Sequence, residues 1–160
     1  MSNIFNFKEV NRDIVENFDG KARAYVEIQQ GCNHRCTFCV IPFGRGNNRS
    51  VPTELIIQRV NKLVENGYNE IVLTGVDITD YGLDLPEKTS LSLMIKELLK
   101  NSPKLKQLRL SSIDCAELDD DFWNLIKFEE RLMPHLHISL QSGDDIILKR
   151  MKRRHNRKQA

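Results

Sequence analysis

Three of the chain's four cysteines fall within nine positions, in the stretch GCNHRCTFC, and the fourth stands alone at Cys115. Cys32, Cys36 and Cys39 have the spacing C-x3-C-x2-C, so three thiolates on one short loop can converge on a single soft metal centre. Three ligands are one short of a closed zinc site, and His34 inside the loop is a candidate fourth. A cluster of four irons held by three thiolates, with one iron open to a substrate or cofactor, is equally compatible with the spacing. Disulfides would leave a sulfur over. No charged start followed by an apolar export segment opens the chain, so a reducing, cytoplasmic compartment is expected, where clustered cysteines are metal ligands rather than disulfides.

The 160 residues, 40% hydrophobic and 29% charged, amount to one domain with a core of ordinary composition. Apolar runs such as EIVLTGV are far too short to cross a bilayer, and no membrane partner is expected. A net charge of +2 excludes a polyelectrolyte. The C-terminal LKRMKRRHNRKQA is nevertheless strongly basic, which fits either contact with RNA phosphates or a solvated helix end.

The elements that must carry the cysteine loop can be read from periodicity. Residues 1–20 show no clear period and read as a leader or linker. In ARAYVEIQ, Ala24, Val26 and Ile28 alternate with Tyr25, Glu27 and Gln29, a strand signature that runs into the loop. PFGRGNNRSVP is a run of turn residues. TELIIQRVNKLVENG reads as a helix with Ile56, Val60, Leu63 and Val64 on one face, Thr53 as its cap and Gly67 past its end. The strand EIVLTG, the Ser90-capped helix SLSLMIKELLKN, the strand QLRLSS and the weaker helix DDFWNLIKF follow. The strand HLHISLQSG and the Asp144-capped helix DDIILKRMKR complete the series.

Strand and helix thus alternate four times, which predicts an α/β fold of parallel strands with right-handed crossovers. Glu27 and Gln29, Gln107 and Arg109, and His135 and His137 each share one strand parity. A packed barrel interior is aliphatic, so a polar inner face predicts a cavity for a polar ligand. Loops that follow the strands form the functional face of such a barrel, and the cysteine loop is one of them.

With Phe38 ahead of the last cysteine, the loop resembles the signature of radical S-adenosylmethionine enzymes. GCNHRCTFCVIPFGRGNNRSVP, EIVLTGVDITDYG, LRLSSID and HLHISLQSGDDIILKRMKRRH resemble its methylthiotransferase branch. GVDITDYG and SSID resemble the members that modify threonylcarbamoyladenosine in tRNA. The resemblance runs in order from about Lys21 to His155. It implies a partial (βα) barrel of the radical SAM type over residues 21–160, with Cys32, Cys36 and Cys39 binding three irons of a [4Fe-4S] cluster. The fourth iron would hold the amino and carboxylate groups of S-adenosylmethionine. Electron donation would cleave the sulfonium and yield a deoxyadenosyl radical that abstracts hydrogen from the target adenine. Phe38 would pack near the cofactor adenine and Thr74 and Gly75 near its amino group. Ser111, Ser112, Gln141 and Ser142 would supply polar contacts.

Each assignment has a plainer counterpart. Phe38 as core, Gly75 and Gly143 as turn glycines, and His135 and His137 as hydrogen-bonded lining are structural readings. Cys115 reads as a small hydrophobe, and Arg45 and Arg49 as cofactor contacts or solvated loop charges. Family members also carry an N-terminal domain with three further cysteines and a C-terminal RNA-binding domain, both expected to be absent here. That predicts unpaired strand edges, marginal stability and loss of sulfur insertion by this chain alone, unless a separate chain supplies the missing parts. The alternatives are a zinc-binding module on Cys32, Cys36, Cys39 and His34 that contacts RNA, and a remnant without function.

Overall fold

A computed structural model describes residues 3–11, 13–18 and 20–160. Strand β1 (Arg23–Gln30) buries Ala24, Val26 and Ile28 against helices and leaves Arg23, Tyr25 and Glu27 accessible on the other parity. The stretch read as turns alone contains a five-residue helix, α1 (Ile41–Arg45), and a two-residue strand, β2 (Arg49–Ser50). Pro42 sits in the first turn of α1, where its missing N–H would have had no partner. β2 then runs antiparallel along the end of β1, pairing Gln29 with Ser50 and Gln30 with Arg49.

Helix α2 (Thr53–Glu65) buries Ile56, Val60 and Leu63. Thr53 is not its cap. Pro52 occupies the cap position with extended ψ, so Thr53 is already helical and its hydroxyl meets the Tyr81 hydroxyl at 3.1 Å. Gly67 takes the left-handed turn past the end, at φ 96°. There follow β3 (Glu70–Gly75), α3 (Leu91–Asn101), β4 (Gln107–Leu110), β5 (Ser112–Ile113), α4 (Asp120–Phe128), β6 (His137–Ile138) and α5 (Asp145–Arg150). Ser90 and Asp144 cap α3 and α5 as expected, accepting from Leu93 N (3.2 Å) and Ile147 N (2.9 Å).

The first sheet has the order β2-β1-β3-β4, with β1, β3 and β4 parallel. The strand read as QLRLSS is broken at Ser111. Ser111 N still donates to Leu73 O (3.0 Å), after which β5 leaves β3 and pairs in parallel with β6, Ser112 against His137 and Ile113 against Ile138. The mixed sheet curls into a half-barrel. HLHISLQSG yields only two paired residues, because the backbone turns on itself beyond them. Leu140 N bonds Ile138 O (2.9 Å), Ser142 N bonds Leu140 O (2.8 Å), and Gln141 is left-handed at φ 65°.

One core lies between the sheet and its helices: Ile71 and Leu73, Leu108 and Leu110, Met94, Ile95 and Leu98, and Phe122 and Leu125. Each such side chain stabilises by about 1.5–3 kcal/mol relative to exposure. This fixes the strands and hence the loops at their carboxyl ends. The polar parity lies on the opposite, concave face but pairs with itself: Glu70 is 2.7 Å from Arg109 and 3.7 Å from Arg23. The N-terminal segment read as a leader or linker lies against α2 and β1, with Phe18 edge-on to Tyr25 and Tyr68 and Glu16 O accepting from Asn66 Nδ2 at 2.7 Å. Met1, Ser2, Arg12 and Asp19 of that segment lie outside the described residues.

Candidate metal centre

The chain leaves β1 through Gly31, at φ 70°, where any Cβ would strike the Asn47 backbone. Only glycine permits this close, left-handed turn. Beyond it, Cys32 N donates to Gly46 O (3.1 Å) and Cys39 N to Cys36 O (3.1 Å). The far side of the loop docks on the end of α5. Thr37 N donates to Met151 O (3.2 Å) and Thr37 Oγ1 to Arg150 O (3.3 Å). The cysteine loop is therefore tied to both the first and the last repeat.

A cavity of about 400 Å³ opens between them, at the carboxyl ends of the parallel strands. The loop contributes Cys32, His34, Cys36, Phe38 and Cys39, α1 contributes Ile41, and the end of β3 contributes Gly75, Val76 and Asp77. Ser112 and Ile113 come from β5, Asp114 from just past it, Ser139 and Gln141 from beyond β6, and Arg153 from beyond α5. This is the edge where α/β folds place ligands.

Of the residues assigned from sequence, Cys32, Cys36, Cys39, Phe38, Gly75, Ser112 and Gln141 border this cavity. Thr74, Ser111 and Ser142 do not. Thr74 lies inside β3 opposite Glu27, and the Ser111 hydroxyl is buried with no hydrogen-bond partner among the described residues. Ser142 Oγ accepts from Asp144 N (3.1 Å) in the turn before α5. Nor do the polar-parity residues line the cavity. Gln29 reaches this end of the sheet but is fully buried, and His137 is exposed with Nδ1 2.9 Å from Ser112 Oγ. Arg49 is also occupied elsewhere, its Nη1 held by Arg45 O (2.9 Å) and Asn47 O (3.0 Å). Gly75 is required by space: a Cβ there would lie 2.7 Å from Ile78 Cγ2 and 2.8 Å from Gln29 O. Gly143 stands in the open.

Three charged residues that sequence reasoning left out of the cavity, Asp77, Asp114 and Arg153, now set its electrostatics together with His34. His34 Nε2 lies 2.8 Å from Asp77 Oδ2 and 3.3 Å from Asp80 Oδ2. Its bond to Asp77 raises His34 above the ordinary imidazole value despite burial. Burial alone would raise Asp77, but His34, Thr79 and Cys32 together hold it below the usual carboxylate range. Asp114 Oδ2 accepts from Arg153 Nη2 at 2.5 Å, and the same nitrogen donates to Ser139 O at 3.0 Å. Arg153 Nη1 reaches Cys36 Sγ at 3.7 Å. The basic tail is thus divided: Arg153 and His155 turn inward, while Lys149, Arg150 and Lys152 stay exposed.

Cys32 is buried, and burial is the main reason its thiol is pushed up to about 12. The His34 N–H, 3.4 Å from Sγ, opposes that shift, and Asp77, whose Oδ2 accepts from Sγ at 3.4 Å, reinforces it. A thiol at this site becomes a ligand by releasing its proton to solvent when a cation binds, since the cation's charge reverses the local preference. Three soft sulfurs on one loop, one cavity, and N–H donors to two of the sulfurs fit an iron–sulfur cluster. Cys32, His34 and Asp77 also place ligand atoms within 4.8 Å of one another, a set that fits a small divalent ion but omits Cys36 and Cys39. Cys115 lies outside the cavity, in a separate group with Asp114 and His155.

The half-barrel and its triple-cysteine loop define a class. Residues 26–160 match the Radical SAM superfamily, and the chain belongs to it. At 55% identity over 157 residues, 98% of this chain and 37% of the relative, it is similar to the threonylcarbamoyladenosine tRNA methylthiotransferase MtaB of Rickettsia prowazekii. It is 43% identical to the protein of the same name from Aquifex aeolicus, again over 98% of this chain and 37% of the relative. A tRNA-2-methylthio-N(6)-dimethylallyladenosine synthase of Clostridium botulinum is 32% identical, over 98% and 35%. The chain therefore spans about a third of the length of the curated relatives it matches. Among solved structures, the radical S-adenosylmethionine methyltransferase TsrM of Kitasatospora setae superposes with a TM-score of 0.66 at 15% identity, over 86% of this chain and 26% of that one. That likeness is one of fold.

Proposed function

We propose that this chain is the cofactor-binding core of a tRNA methylthiotransferase acting on threonylcarbamoyladenosine beside the anticodon. One observation carries the reading: Cys32, Cys36 and Cys39 border a single cavity at the carboxyl ends of the strands. The three thiolates would hold three irons of a [4Fe-4S] cluster, and S-adenosylmethionine would occupy the adjoining cleft. When bound, this pair supplies the reductive cleavage that the protein itself has no group to perform.

The protein's part is binding and orientation. Phe38, 53% exposed at the cavity rim, offers a ring face for an adenine. The Gly75 and Val76 backbone, on the cavity wall, offers polar groups to a ligand's polar end at the sheet edge. Ser112 and Gln141 supply hydrogen bonds on the opposite wall. A tRNA partner is supported by the names of the relatives, and the exposed Lys149, Arg150 and Lys152 provide charge for phosphates. Action on tRNA would place the protein in the cytoplasm. No helix among the described residues is long and apolar enough to cross a membrane.

Anaerobic reconstitution with iron and sulfide tests the reading. Broad visible absorption that changes on adding S-adenosylmethionine is expected, lost in Cys36→Ala and kept in Cys115→Ala. Tight, colourless zinc without iron uptake would replace this reading with a divalent site at Cys32, His34 and Asp77. Iron retained by Cys36→Ala would remove that residue from the ligand set.

A further inference from the structure

Arg153 belongs to the run MKRRH, where composition alone suggests a solvated phosphate-binding charge. Its side chain is instead only 8% exposed, and its hydrogen bonds among the described residues go to Cys36, Asp114 and Ser139 on the cavity wall. The turn that brings it there is specific. After α5, Met151 N bonds Ile147 O (2.9 Å) and Lys152 adopts φ 56°, a left-handed conformation uncommon for a residue with a Cβ. Arg153 N then bonds Leu148 O (2.9 Å), closing the helix end in the manner of a Schellman motif. The guanidinium that results is held in two places by Nη2, at Asp114 and at Ser139 O, and presents Nη1 to Cys36 Sγ. Asp114 is itself fixed from behind: His155 lies buried with Nδ1 3.5 Å from Asp114 Oδ1 and Nε2 3.1 Å from Leu140 O.

We propose that Arg153 is a positioning residue for the iron–sulfur centre, orienting Cys36 and setting the centre's reduction potential through its charge and its N–H···S bond. The inference rests on the cluster reading above. Reduction adds a negative charge to the centre, so a fixed cation donating to a ligand sulfur favours the reduced form and raises the potential. Arginine suits the task because its planar fork holds three acceptors at once and keeps its charge when buried. A lysine at this position would supply the charge but one ammonium in place of the fork.

The test is an EPR-monitored redox titration of the reconstituted chain beside Arg153→Met and Arg153→Lys. Arg157→Met serves as a control that removes one exposed positive charge, and far-UV CD checks folding. Arg153→Met is expected to hold less iron per chain. Its reduced-to-oxidised ratio at a fixed potential should fall about tenfold, a midpoint about 59 mV more negative for a one-electron couple. Arg153→Lys should move the same way by less, and Arg157→Met should match the parent. A folded Arg153→Met chain with the parent's midpoint and iron content would overturn the inference and leave the cluster reading standing. If Arg153→Met does not fold, an unshifted midpoint in Arg153→Lys overturns it equally. A parent chain that takes up no cluster would overturn both.

Discussion

Gln29→Leu is the sharpest single test of how the fold holds the cysteine loop. The side chain is fully buried, and its amide serves three segments together. Nε2 donates to Gly31 O (2.7 Å) and Asn48 Oδ1 (2.5 Å), while Oε1 accepts from Val76 N (2.9 Å) and Asp77 N (2.7 Å). Leucine fills the same volume with no polar atom. Gly31, Asn48 and Asp77 are buried, so water cannot easily replace the lost partner there, whereas Val76 is exposed. Three stranded groups at about 1–3 kcal/mol each, partly offset by the apolar gain of leucine, give a net loss of about 2–4 kcal/mol. For a domain of this length that lowers the melting temperature by about 5–15 °C. Thermal unfolding of the metal-free chain by CD measures it directly. Gln29→Glu keeps the acceptor for Val76 and Asp77 but turns an anion toward Gly31 O and Asn48 Oδ1, and it should destabilise at least as much. A Gln29→Leu chain melting within about 2 °C of the parent would refute the claim that this amide joins the loop to the sheet.

Other outcomes follow from the same geometry. Gly75→Ala must displace Ile78 or Gln29, since its Cβ would lie 2.7 to 2.9 Å from their atoms; a loss of about 1–3 kcal/mol in urea unfolding is expected, and an unchanged midpoint would count against it. Phe38→Ala should weaken S-adenosylmethionine binding about 5- to 10-fold in calorimetry of the reconstituted chain, an aromatic contact of about 1–1.5 kcal/mol, while leaving the iron content as it is. Stability of the metal-free chain should fall as pH rises. His34, raised in the folded state, contributes stability that is complete below its unfolded value and is lost as pH climbs through the folded one. Glu117, pushed up to about 7 by burial and then by Asp80, against the pull of Arg154, acts in the same direction between its ordinary range and about 7. A melting temperature that rises from pH 5.5 to 8.5, or a slope unchanged in Glu117→Gln, would contradict the assignment.

The alternation of ARAYVEIQ, the stripe of SLSLMIKELLKN and the cap at Asp144 were legible because each obeys a local rule: strand parity, helical period, a side chain accepting an N–H. Four repeats could be counted from them, and the cysteine loop could be placed after the first strand. What escaped was decided by tertiary contacts. Nothing in QLRLSS says that Ser111 marks a change of partner from β3 to β6, and HLHISLQSG reads as a long strand because its later turns use ordinary residues. The polar parity was seen correctly and interpreted wrongly. Glu70 and Arg109 neutralise each other, and Gln29 serves the backbone rather than a ligand. Asp77 and Arg153 sat within quoted motifs, but a carboxylate after a strand and one arginine among several carry no signal of inward direction.

The departures from local rules are informative because they gather in one place. Among the described residues, only Gln141 and Lys152 combine a side chain with a positive φ. Gln141 forms part of the cavity wall, and Lys152 is the turn that sends Arg153 into it. Gly31 and Gly75, two glycines whose replacement would meet backbone at this end of the sheet, stand just before Cys32 and Asp77. Strained or permissive backbone persists only where surrounding contacts over-determine it. Here those contacts are the Gln29 amide on one side of the loop and the end of α5 on the other. Orienting sulfur ligands from both ends of the half-barrel means that the first and last repeats must both be folded before the three thiols can share one centre. Iron uptake should accordingly be lost in step with global unfolding in urea. Retention of the centre after the α5 end has melted would show that the loop needs only its own strand.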